Sequence, residues 1–170
     1  LEAGALTPVP ARVNLAPLLA RVAREFAPQA EAKGLSLRIV PTRLGVRSDG
    51  AMLERIVRNL VANAIRHTER GGVLIGTRVH GAEIAIDVVD TGVGIAPEHR
   101  DRIFDEFYQV RDTRTSRSHA GMGLGLAIVR RLALLLGHRV EVTSKVGRGS
   151  RFRVLASAAA VSQPSETTMS

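Results

Sequence analysis

Three segments of this chain combine residue types that can do chemistry. In Arg58-Asn59-Leu60-Val61-Ala62-Asn63-Ala64-Ile65-Arg66-His67-Thr68, Asn59 and Asn63 stand four apart and Arg66 three further on. On a helix all three project from one face. Asparagine is a poor helix former, so two on one face cost stability unless they meet something. Amide oxygens are hard neutral donors suited to Mg2+, and an arginine beside them suits a phosphate oxygen. A solvated polar face beside the Leu60/Ala64 stripe has the same pattern. Next, Asp90-Thr91-Gly92-Val93-Gly94-Ile95 follows a predicted strand. Its carboxylate can accept from an exocyclic amine such as adenine's, and its glycines permit positive φ and close approach to a flat ligand. A plain Asp-x-Gly turn reads the same way. Finally, Gly121-Met122-Gly123-Leu124-Gly125-Leu126 opens an apolar helix, where bare amides and the helix dipole favour a phosphate. No Gly-Lys-Ser/Thr follows, so it is not a Walker A loop.

The elements that must position these segments follow from periodicity. Leu18, Leu19, Val22, Ala23, Phe26, Ala27 and Ala30 keep a helical period from Leu15 to a stop at Gly34, with Pro28 expected to interrupt and kink the helix. Leu35, Leu37 and Ile39 alternate as in a strand. Ser48 or Asp49 can cap a second helix carrying Met52, Leu53, Ile56, Val57, Leu60, Ala64 and Ile65, which Gly71-Gly72 ends. Val73 to His80 and Glu83 to Val89 form a hairpin across Gly81-Ala82. Leu124 to Leu136 is a short apolar helix, and the stretches around Arg139 to Ser144 and Ser150 to Leu155 close an antiparallel pair. Leu1 to Asn14 reads as irregular linker and Ser157 to Ser170 as a frayed tail. Strands grouped on one side of three helices predict a two-layer α/β sandwich with a mixed, mostly antiparallel sheet, an α+β fold.

The order of the segments matters more than any one of them. An Asn-rich helix, Asp-x-Gly-x-Gly, then Ile103-Phe104-Asp105-Glu106-Phe107-Tyr108, then a glycine-rich helix start resemble the N, G1, F and G2 boxes of the ATP-binding catalytic domain of bacterial sensor histidine kinases. That family belongs to the superfamily shared with gyrase, Hsp90 and MutL, whose fold is the Bergerat type. The resemblance covers roughly Asn14 to Leu155 and includes Ser144-Lys145-Val146-Gly147-Arg148-Gly149-Ser150-Arg151-Phe152, similar to the family's final hairpin. Leu1-Glu2-Ala3-Gly4 resembles the exit of the phosphoacceptor helix pair, which makes residues 1–13 a linker, 14–156 the catalytic domain and 157–170 a flexible tail.

The resemblance implies roles residue by residue. Asn63 would ligate Mg2+, with Asn59 supporting the phosphate side, Arg66 on a phosphate and His67 near the sugar or base. Asp90 would take the adenine amino group, with Gly92, Gly94 and Ile95 shaping the base pocket. Gly121, Gly123, Leu124, Gly125 and Leu126 would meet the phosphates, and Tyr108 joins the nucleotide-contacting set. Residues 97–120 correspond to a lid in which Phe104 and Phe107 act as packing anchors. Arg111 to Ser118 has no apolar period of its own, which suits a mobile flap over a triphosphate as well as a plain surface loop. Gln109 stands where many members carry Arg; Arg102, Arg111 and Arg114 are substitutes for a γ-phosphate contact.

Hydrolases of the superfamily carry Glu four residues before the metal-binding Asn, as base for water. Here Asn59 stands there and cannot take a proton at neutral pH, and Glu54 is nine residues before Asn63. The resemblance therefore implies a site that holds ATP for an outside nucleophile, a histidine on the dimerisation domain of the parent chain. None of His67, His80, His99, His119 and His138 lies in the family's phosphoacceptor motif, and His80 and His138 read as surface residues. The expected cofactors are ATP and Mg2+. The expected partners are the phosphoacceptor/dimerisation domain and a downstream response regulator, in a homodimeric parent whose isolated domain is monomeric. The expected localisation is cytoplasmic, with anchoring of the parent in the inner membrane left open. The alternative is a nucleotide-binding regulatory module without turnover.

Composition agrees with these limits. At 170 residues and 45% hydrophobic, the chain suits one globular domain. It has no cysteine, which excludes disulfides, zinc ribbons and thiol catalysis. Only 3% is aromatic, too little for a base-stacking platform. The charge of +8 comes from 22 arginines against Lys33 and Lys145, scattered through every segment, and a nucleic-acid partner is not expected. No apolar run nears the ~18 residues of a membrane span. The chain opens at Leu1 with no signal-peptide pattern and reads as a piece of a longer protein.

Overall fold

A computed structural model describes residues 6–109 and 124–159. Their order is β1 (Ala11–Asn14), α1 (Leu15–Ala32), β2 (Ser36–Ile39), β3 (Gly45–Ser48), α2 (Gly50–Arg66), β4 (Gly72–His80), β5 (Glu83–Asp90), a 3-10 turn (Pro97–His99), α3 (Gly125–Leu136), β6 (Arg139–Lys145) and β7 (Gly149–Ser157). The main sheet runs β2-β4-β5-β7-β6, parallel only between β2 and β4, and a two-stranded sheet pairs β1 with β3. The three helices pack against the main sheet as a second layer, the two-layer α/β sandwich expected.

α2 is the centre of the core because its apolar stripe is broad enough to meet both other helices and the main sheet. Leu53, Ile56, Val57, Leu60, Val61, Ala64 and Ile65 are all inaccessible, and the helix packs on α1, α3, β4 and β5. Each such Leu, Ile or Val contributes about 1.5–3 kcal/mol relative to exposure. Under α2, the registers Ile86↔Val154 and Val88↔Phe152 place four buried side chains on one face of β5 and β7. The intervening pair Asp87↔Arg153 points the other way and closes as a bidentate ion pair at 2.7 and 2.9 Å.

Helix ends are built from local chemistry. Asp49 caps α2, accepting from the Met52 N–H at 3.1 Å. At the other end of α1, Gly34 adopts φ +70°, and its N–H and that of Leu35 return to the Glu31 and Ala30 carbonyls at 2.9 Å. This is a Schellman stop.

Four expectations are corrected. The supposed linker contains β1, whose Val13 pairs with the buried Val46 of β3; strands of four residues are too short to show alternation. α1 is one continuous helix from Leu15 to Ala32 that includes Pro28, so the proline does not interrupt it. The tail does not begin at Ser157, which ends β7, and Ala158 bridges back to Val46. His138 is buried, not a surface residue: its Nε2 and the Ser48 Oγ lie 2.7 Å apart. Residues 160–170 lie outside the described residues.

Candidate functional site

β5 delivers Asp90 to a place where the end of α2 and the β6–β7 turn meet. The side chain is 95% buried, and the Gly92 and Ser150 N–H groups both donate to its Oδ1, at 2.9 and 3.2 Å. Burial pushes its pKa up from the ordinary 3.8, against the pull of those two bonds. Among the described residues nothing donates to Oδ2. A buried carboxylate with one oxygen unused calls for a donor from a ligand or water.

The loop after Asp90 is pinned on both sides. A Cβ on Gly92 would lie 2.3 Å from the His67 carbonyl oxygen, and one on Gly94, at φ +75°, would lie 2.2 Å from the Lys145 carbonyl oxygen. These glycines therefore admit neighbouring backbone, in addition to any ligand. Val93 donates to the His67 carbonyl at 3.3 Å and accepts from the Gly147 N–H at 2.8 Å, while Ile95 donates to Ser144 Oγ at 2.7 Å. The buried Ser144 and Ser150 hydroxyls lie 2.8 Å apart beneath this loop.

The last turn of α2 supplies the amide side. Asn63 is half-buried and makes no side-chain hydrogen bond among the described residues, so its amide is available. Arg66 is exposed without an ion pair among them, and His67 is the half-buried C-cap. Asn59 is occupied differently. Its Nδ2 donates to the Arg55 carbonyl at 2.8 Å, and its Oδ1 lies 3.4 Å from where a Gly125 Cβ would be. It also lines a groove of about 240 Å3 with Phe26, Arg55, Arg58, Ala62 and Ile128, to which Asn63 and Asp90 do not contribute. α3 starts after Leu124 with no side-chain cap, and Gly125 and Leu126 are half-buried. Among the described residues no side chain caps its first N–H groups, the kind of donors that suit an anion.

Between these parts, residues 97–109 form an anchored stem. Ile103 is buried, Phe104 meets Phe152 edge-on at 6.2 Å, and Arg100 donates to the Ser144 carbonyl. The Tyr108 hydroxyl pairs with His99 Nδ1, and the Arg102 guanidinium stacks 4.7 Å over the Tyr108 ring. Among the described residues no group of three His, Cys, Asp or Glu side chains is placed to hold a metal ion. A neutral amide such as Asn63, with phosphate oxygens completing the shell, fits Mg2+ better than a dedicated protein cage.

Residues 48–159 match the family described as "Histidine kinase-, DNA gyrase B-, and HSP90-like ATPase". The chain belongs to this family. It is 36% identical over 155 residues to the aerobic respiration control sensor protein ArcB of Escherichia coli (strain K12), covering 89% of this chain and 20% of ArcB. The sensor-like histidine kinase SenX3 of Mycobacterium tuberculosis (strain ATCC 25618 / H37Rv) is 43% identical over 113 residues, 66% of this chain and 27% of SenX3. Among solved structures, full-length ShkA in complex with AMPPNP superposes with a TM-score of 0.80 at 34% identity, covering 94% of this chain and 34% of ShkA. The chain thus spans about a fifth of the length of the curated relatives it matches first.

Within this histidine kinase-like ATPase domain, the structure seats the Asp90–Gly94 loop on the His67 carbonyl at the end of α2, the helix whose last turn carries Asn63 and Arg66. Asn59 belongs instead with the start of α3. Gly121 and Gly123, and residues 110–120 of the lid expected at 97–120, lie outside the described residues. Phe104 is a packing anchor as expected, but Phe107 is not: it is 64% exposed at φ +61°, because Ile103 and Phe104 already fill the contact with the core. Sequence reasoning missed Ser150, Ser144 and Arg100. The hairpin containing both serines was visible, but nothing in it indicated that the Ser150 N–H would reach Asp90 across 60 residues.

Proposed function

We propose that this domain binds ATP with Mg2+ and offers the γ-phosphate to a histidine on a phosphoacceptor and dimerisation domain of a larger sensor kinase. The observation that carries this reading is Asp90, buried and with no described residue donating to Oδ2 while Ser150 and Gly92 fix its other oxygen. Asp90 recognises the adenine amino group, with Gly92, Gly94 and Ile95 around the base and His67 near the sugar. Asn63 meets Mg2+, Arg66 a phosphate, and the uncapped start of α3 the phosphate chain. Asn59 supports that helix start, and Gly121, Gly123, Leu124, Gly125 and Leu126 line the same phosphate side. Tyr108 holds the stem of the lid. ATP supplies the phosphoryl group; the protein supplies position and charge neutralisation, which is most of what this chemistry needs. Asn59 leaves that position without a base to activate water.

A response regulator is the downstream partner, and the parent is a homodimer working on the cytoplasmic side. Among the described residues no helix is long and apolar enough to cross a membrane. Calorimetric titration with ATP and GTP, with and without Mg2+, tests the reading. Binding that prefers adenine and strengthens with Mg2+ is expected; equal affinity for GTP would overturn the role of Asp90. ATP binding without phosphate transfer in the full-length parent would favour the regulatory module, to which Gln109 points.

A further inference from the structure

The end of α2 is gripped from outside by one cation. Lys33, the C-cap of α1, donates from Nζ to the Ile65 carbonyl at 2.8 Å and to the Arg66 carbonyl at 3.3 Å. The neighbouring carbonyls have other donors. Asn63 O accepts from the His67 N–H at 3.1 Å, Ala64 O from the Thr68 hydroxyl at 2.7 Å, and His67 O from the Val93 N–H at 3.3 Å. Lys33 completes this set and places positive charge where a helix C-terminus favours it. Its own position is set by the Schellman turn at Gly34, which ends α1 beside the last turn of α2.

We propose that Lys33 is a positioning residue for the nucleotide site, setting the last turn of α2 against the Asp90–Ile95 loop; the inference rests on the ATP·Mg2+ reading above. The two halves of that site hang on different elements. Asp90 is fixed by its own strand and by Ser150. Asn63 is fixed only through α2, and α2 meets the loop through the Val93 bond and the close seat of Gly92 on the His67 carbonyl. Lys33 holds the same turn from the α1 side. Without it the Arg66 carbonyl reverts to water and the Ile65 carbonyl keeps only the long bond from the Thr68 N–H at 3.4 Å, the turn loosens, and Asn63 and Arg66 lose register with a base site that stays in place.

The test compares Lys33→Met, which keeps length and loses the donor, with Lys33→Arg, which can reach the same carbonyls. Arg21→Met is the control, since it removes another α1–α2 contact, the 2.8 Å pair with Glu54, more than two turns from the end of α2. Lys33→Met is expected to weaken ATP·Mg2+ about five- to tenfold, the scale of one ordinary hydrogen bond, and adenosine by less than about twofold. Lys33→Arg restores most of the affinity, and Arg21→Met changes neither ligand. In nucleotide-free protein, hydrogen exchange of the His67, Thr68 and Val93 amides rises in Lys33→Met while that of Leu53 to Leu60 does not. Equal losses for adenosine and ATP·Mg2+, or faster exchange along all of α2, would make Lys33 a general stabiliser and overturn the inference. Wild-type affinity in Lys33→Met sinks this inference alone; a wild-type chain that binds neither ligand sinks the ATP reading with it.

Discussion

Asp90 and Asn63 show how differently two side chains in one site relate to stability. Asp90 keeps a carboxylate in a buried place, and burial raises its pKa above 3.8. The folded chain therefore holds this proton to higher pH than the unfolded chain. Stability falls as pH rises from 3.8 through the folded pKa, and the penalty is complete above it. Asparagine would still accept from Gly92 and Ser150 while removing the charge. Asp90→Asn is expected to melt higher than wild type at neutral pH, to lose that advantage in acid, and to bind ATP at least about tenfold more weakly. Thermal melts against pH, paired with calorimetry, check both halves; a lower melting temperature at neutral pH contradicts the account. The Asn63 side chain makes no hydrogen bond among the described residues. Asn63→Ala should leave stability unchanged or raise it by about 0.5 kcal/mol through helix propensity, while abolishing the Mg2+ dependence of nucleotide binding.

Elements were legible where the signal repeats within a few residues. α1, α2, α3 and the β4–β5 hairpin each carry a period that survives any tertiary context, so their apolar faces could be assigned from spacing. β1 and β3 carry none. Four residues each, with Arg12 opposite Arg47, they are strands because Val13 and Val46 meet and because Leu15 donates to the Leu44 carbonyl at 3.1 Å. The start of α2 depends on Asp49, which accepts from Val9 N–H at 2.9 Å as well as from Met52. Those bonds, Val9 first, hold its pKa below 3.8, so its stabilisation is present above that value and fades as pH falls through the folded pKa. Asp49→Ala should cost about 1–2 kcal/mol in urea unfolding at neutral pH and little in acid. In the Asp90–Ile95 loop, Gly92→Ala would push a methyl group into the His67 carbonyl and should cost about 1–3 kcal/mol together with nucleotide affinity.

At the scale of the whole molecule, distant segments set each other's chemistry. His138 ends up against Ser48, 90 residues away, and burial lowers its pKa from 6.5 despite the opposite pull of Glu83. The unfolded chain then takes up this proton first as pH falls. Stability is fully present above 6.5 and is lost between there and the folded pKa. Urea midpoints should fall between about pH 7.5 and about pH 5.5, and His138→Phe should flatten that slope; an unchanged slope would remove His138 as its source. What the sequence determined by itself is the order of its boxes, the family, the helices and the hairpin, because all of these are written in local spacing and residue type. Only the tertiary structure decided that Ser150 holds Asp90, that Lys33 grips α2, that Gly92 seats on a carbonyl, that His138 is buried and that Phe107 is not. Each of those depends on backbone from another part of the chain arriving at hydrogen-bond distance, and no local pattern records which partner will arrive.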